Sequence, residues 1–186
     1  MSLRLIDLRP SLPLLANMIG YQAVWFACVG GAASGLAWPG VIASLAFSIA
    51  TLLFAGRRAA DLRSIALMLP LGFTLDSGLV ASGWVAYSPA GPGDAIAPVW
   101  IAAVWLSFAL TLNHSLSFLR RHRAASALLG LAGGPLAYWS ASRAFGVIEF
   151  TQPAVATLAV LGLCWAVLLP LVFALDARSR PLEAQT

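Results

Sequence analysis

Two ionisable side chains, Asp76 and His114, stand inside long apolar runs of this chain. Burying either in hydrocarbon is costly, so such residues usually face a bundle interior or a polar cavity and often serve function. When neutral, each can both donate and accept a hydrogen bond, which suits a polar headgroup or a proton relay. The structural alternative for both is a buried hydrogen bond that ties helices together. Asn17, Gln22 and Asn113, with Thr74 and Thr111, are candidates for the same polar interior. Counted from the basic ends of their segments at 1.5 Å per residue, Asn17 and His114 lie about 5–8 Å deep, and Gln22 and Asp76 about 15–18 Å. Asp76 and His114 are therefore expected as two points on one polar track and not as a bonded pair.

The elements that hold these residues follow from hydropathy. The 186 residues are 60% hydrophobic and 10% charged, with a mean hydropathy of +0.87. A soluble domain carries roughly a quarter charged residues, so lipid must be the solvent here. Six apolar runs, at about 14–33, 38–55, 64–85, 98–119, 124–147 and 153–175, each approach the ~20 residues needed to cross the hydrocarbon. They are too long and too continuous for barrel strands, which alternate over ~10 residues. The expectation is a single all-α domain, a polytopic six-transmembrane-helix bundle. The basic residues are all arginine. Arg4, Arg9, Arg57, Arg58, Arg63, Arg120, Arg121, Arg123, Arg178 and Arg180 share one side of such a bundle, leaving only Arg143 elsewhere. The positive-inside rule then predicts cytoplasmic N- and C-termini in a bacterial inner membrane. The first run is read as a retained span: it is longer than the 7–15 residues of a typical signal-peptide core. Leu69–Asp76 resembles Leu169–Asp176, but both octets fall toward the cytoplasmic side, which an inverted repeat forbids, so the match is read as chance.

Gly130 and Gly134 form a GxxxG pair, which lets helix backbones approach closely, within the bundle or between two copies. Arg143 and Glu149 are candidates for an ion pair or headgroup contact at the outer face. Trp38, Trp84, Tyr87 and Trp100 are read as interfacial anchors. Cys28 and Cys164 lie in apolar runs with no metal-binding spacing; neither a metal nor another cofactor is implied. The net charge of +4 sits in short loops, where it orients the chain, and no nucleic-acid partner is expected.

Several strings are more specific: Trp25-Phe26-Ala27, Pro98-Val99-Trp100, Leu112-Asn113-His114-Ser115-Leu116 and Gly133-Gly134-Pro135-Leu136-Ala137-Tyr138, with Asp76. Through them nearly the whole chain resembles the bacterial membrane family of domain of unknown function 2878. Genes of that family often neighbour lipid-modifying enzymes such as cyclopropane-fatty-acid synthases. The resemblance implies a link to membrane lipid chemistry or envelope stress, and carries over no catalytic residues. The expected function is binding or transport of a lipid-like or small apolar molecule, with Asp76, Asn113 and His114 lining the polar part. The alternative is an intramembrane enzyme or an accessory subunit of a lipid-modifying system. Membrane lipids are the expected partners, with a second copy or a lipid-modifying enzyme as further candidates.

Overall fold

The computed structural model describes residues 12–179. Arg4, Arg9 and Arg180 lie outside the described residues. Among the described residues there are six α-helices: α1 Leu12–Ala33, α2 Trp38–Phe54, α3 Arg58–Ala81, α4 Val99–Ala109, α5 Arg123–Phe145 and α6 Ala154–Arg178. A short 3-10 helix, Ser117–Arg121, precedes α5. Two three-residue strands, β1 Val85–Tyr87 and β2 Ile148–Phe150, pair antiparallel, with Ala86 opposite Glu149. This ribbon closes the end of the bundle opposite the arginine-rich loops. Nothing in the apolar periodicity announces it.

Three helices, α1, α3 and α6, are long and apolar enough to cross a membrane. Their surroundings agree with a membrane protein. Ile19, Phe26, Ile42, Ile49, Leu128, Leu136, Leu163 and Val167 are exposed, whereas Asp61, Asp76, Asn113 and Asp176 are buried. Large apolar side chains outside and charged ones inside is the arrangement of a chain dissolved in lipid.

The stretch expected as one continuous fourth span is α-helical only over Val99–Ala109. Beyond it, residues 110–116 form turns. The reason lies in the side chains. Thr111 Oγ donates to the Phe108 carbonyl at 2.7 Å, and Thr, Asn, Ser and His residues crowd the next positions, where such bonds compete with the helical ladder. Buried non-helical backbone must find its hydrogen bonds within the protein. Asn17 Nδ2 donates to the Leu110 carbonyl at 3.3 Å, and Asn17 Oδ1 accepts from the Ser115 backbone N–H at 3.3 Å. An Arg57 N–H donates to the Asn113 carbonyl at 2.7 Å.

α5 and α6 are the most closely packed pair. A Cβ on Gly130 would stand 2.4 Å from the Trp165 carbonyl oxygen, and one on Gly162 would stand 2.8 Å from that of Leu131. The Gly130/Gly134 stripe thus lies against α6 of its own chain, which occupies it. α5 stays helical through Pro135 and ends at Gly146, whose φ of 65° supplies the left-handed cap.

Candidate functional site

α3 carries two buried carboxylates, Asp61 and Asp76, both 0% exposed. They lie about 22 Å apart along the helix axis at 1.5 Å per residue. Each anchors its own polar centre.

The first centre is mid-bundle. Asp76 Oδ1 accepts from the Tyr87 hydroxyl at 2.5 Å and from the Tyr138 hydroxyl. Its Oδ2 accepts from Trp105 Nε1 at 2.5 Å. One carboxyl group therefore joins α3 to β1, α4 and α5. Gly72, one turn earlier on α3, makes room for the Trp105 ring: a Cβ there would fall 2.1 Å from Cδ2. Trp105 in turn stacks on Trp165 of α6, with ring centroids 4.7 Å apart. Burial, and then the neighbouring Asp76 carboxylate and Tyr138, push the Tyr87 phenol well above the ordinary tyrosine range, which keeps it a donor. Tyr87 and Trp100, expected at the lipid interface, are instead 7% and 1% exposed. Their rings meet edge to face beside Asp76, because the β-ribbon folds Tyr87 inward. A cavity of ≈ 50 Å³ adjoins this centre, lined in equal parts by aromatic residues and by others, Asp76 among them.

The second centre is at the arginine-rich end, and His114 belongs to it. His114 Nε2 lies 3.1 Å from both Asp61 oxygens. Asn113 Nδ2 donates to Asp61 Oδ1 and to Ser64 Oγ, each at 2.9 Å. Asp61 and Ser64 are three residues apart on α3 and so share a face. Asn113 Oδ1 accepts from Arg120, which also pairs with Asp176. Arg63 Nε reaches the same carboxylate at 3.1 Å. Asn113 thus joins two buried acids, one beside His114 and one held between two arginines.

A polar pocket of ≈ 280 Å³ opens beside this network, lined by Pro13, Leu14, Ala55, Arg57, Asn113, His114 and Ser117. Arg57 is exposed and has no carboxylate partner among the described residues. Ser117 Oγ donates to the His114 carbonyl at 2.8 Å, bracing the turn that presents the imidazole.

The expected polar interior is therefore divided. Asn17, Asn113 and His114 meet at one end, Asp76 stands apart, and Gln22 is exposed on α1 and belongs to neither centre. Arg143 and Glu149 are both exposed, and no ion pair joins them among the described residues. Asp61, Ser64, Arg120 and Asp176 are not among the site residues the sequence points to: Arg120 reads there as an orienting arginine, and Asp61 and Asp176, close to arginines, look like parts of solvated charge clusters. The available signal was an acid inside each arginine cluster: Asp61 between Arg58 and Arg63, and Asp176 before Arg178.

Buried acids, lipid-facing apolar side chains and spanning-length helices define a helical membrane protein with an interior polar network. The family model described as "Protein of unknown function (DUF2878)" matches residues 14–171. The chain belongs to this family. No curated protein and no solved structure matches it.

Proposed function

We propose that this is a six-span protein of the bacterial inner membrane, with both termini cytoplasmic, that binds the polar end of a lipid-like molecule in the pocket beside Arg57 and His114. The positive-inside rule supports the orientation, since the arginines gather at the pocket's end of the bundle. One observation carries the binding reading. The ≈ 280 Å³ pocket has apolar walls at Pro13, Leu14 and Ala55 and polar walls at Arg57, Asn113, His114 and Ser117. An amphiphile presents that division at the edge of the hydrocarbon. Chains stay among lipid, and the head meets the arginine.

The charge on Arg57 favours a head bearing an anionic oxygen, because guanidinium pairs well with carboxylate and phosphate. A charge-assisted hydrogen bond contributes about 1.5–3 kcal/mol, or roughly tenfold or more in affinity. Asp76 is the structural member of the pair of centres: both its oxygens are already taken by three donors. Native mass spectrometry of the purified protein with added lipids tests this reading. Anionic lipids should be retained over zwitterionic ones of the same chain length, and Arg57→Gln should abolish the preference. Equal retention in both proteins contradicts it.

A further inference from the structure

The Asp61–His114 pair has a geometry that binding alone does not require. Nε2 is within 3.1 Å of both carboxylate oxygens, so the ring N–H belongs on Nε2. The neutral imidazole then carries its lone pair on Nδ1, because the hydrogen bond at one nitrogen sets the role of the other. Nδ1 has no hydrogen-bond partner among the described residues. His114 lines the pocket together with Arg57 and Ser117. Asp61 is itself held by Asn113, whose other amide atom is fixed by Arg120. A base, an acid that orients it and a nearby cation are the parts that general-base attack on a carbonyl needs.

We propose that Asp61 and His114 form a general base that hydrolyses an acyl ester of a lipid seated in this pocket. The proposal rests on the binding reading above. Water supplies the nucleophile, since Ser117 Oγ is engaged with the His114 carbonyl at 2.8 Å. His114 Nδ1 takes a proton from water as its oxygen bonds to the ester carbonyl carbon. Arg57 faces the charge that develops on the carbonyl oxygen. The bond from that carbon to the alkoxy oxygen then breaks, and the departing oxygen takes the proton back from Nδ1. Ester and water become carboxylic acid and alcohol, with no other reactant consumed. The ester class follows from depth. His114 stands near the end of the helical bundle, and the ester linkages of membrane lipids lie at the border between the hydrocarbon and the headgroups.

The test uses the full chain in liposomes of an anionic diacyl glycerophospholipid, in water labelled with oxygen-18. Labelled fatty acid should appear in proportion to protein. His114→Gly should lower its release by about 100-fold or more, and added imidazole should restore part of it, which no purely structural role of the residue would allow. Asp61→Asn should lower release while lipid is still retained in native mass spectra. Retained lipid without labelled fatty acid from the wild type overturns the hydrolysis and leaves the binding reading standing; absence of retained lipid overturns both. Release undiminished in His114→Gly also overturns the proposal. If these variants do not accumulate, ethoxyformylation of the wild type decides, because the chain has only 2 histidines. Release must fall in step with modification of His114, mapped by mass spectrometry. Release that persists with His114 modified overturns the proposal.

Discussion

His114 on the turn after α4 meets Asp61 on α3 with Nε2 at 3.1 Å from each carboxylate oxygen. The partner of His114 is thus the acid in the arginine-rich first turn of α3, and not the acid at mid-bundle. This pairing divides the polar interior into a tied hub at Asp76 and an accessible site at His114.

The hub should behave as a structural tie. In Asp76→Asn the amide oxygen can still accept from Tyr87 and Tyr138, but the amide nitrogen then faces the Trp105 N–H, donor against donor. The expected loss is about 1–3 kcal/mol for the unsatisfied group, read by chemical unfolding in detergent. Adding Trp105→Phe removes the opposed donor and should recover part of that loss. A double variant whose losses simply add would show that the two groups are not coupled.

Asn113 should matter more to stability than its single amide suggests. Asn113→Ala removes bonds to Asp61, Ser64 and Arg120 at once. Hydrogen bonds to charged groups contribute about 1.5–3 kcal/mol each, so the midpoint of thermal unfolding should fall clearly below that of an exposed control such as Gln22→Ala. Equal midpoints would mean that the network does not hold these segments together.

The glycines of α5 allow a test with an internal control. Gly130→Ala places a methyl group 2.4 Å from a backbone oxygen of α6, whereas a Cβ on Gly133 meets nothing nearer than 3.8 Å. Overpacking costs about 1–3 kcal/mol, while alanine for an unhindered helical glycine gains up to about 1 kcal/mol. The two neighbours should therefore shift the melting temperature in opposite directions. Matching shifts would place the stripe against lipid.

Topology is tested with alkaline-phosphatase fusions. Fusions at Asp94 and Glu149 should be active, and fusions at Arg58 and Arg121 inactive. Activity at Arg121 would invert the orientation and move the pocket to the outer face.

The helices are legible in the sequence because hydropathy reports directly on lipid exposure. The end of α4 is not, because Leu110, Leu112 and Leu116 keep the segment apolar while Thr111, Asn113 and Ser115 withdraw it from the helical ladder. His114, Asn113 and Asn17 stand out as polar residues in apolar runs, and all three reach the site. Their partners do not stand out. A carboxylate near loop arginines looks solvated until the fold turns it inward, as it does Asp61 and Asp176. Tyr87 and Trp100 mislead in the opposite sense: their position near a loop suggests an interfacial anchor, but the β-ribbon turns Tyr87 onto Asp76. The octets ending at Asp76 and Asp176 are alike in sequence, yet their acids serve different centres.

The most direct measurement of lipid binding is photocrosslinking in membranes with an anionic phospholipid that carries a diazirine near its head. Labelled peptides should map to Pro13, Leu14 and Ala55 around the pocket, and Arg57→Gln should reduce the labelling by about tenfold, in line with the loss of one charge-assisted contact. Labelling spread evenly over the lipid-facing residues of α2 and α6, and unchanged by Arg57→Gln, would contradict a lipid site at this end of the bundle.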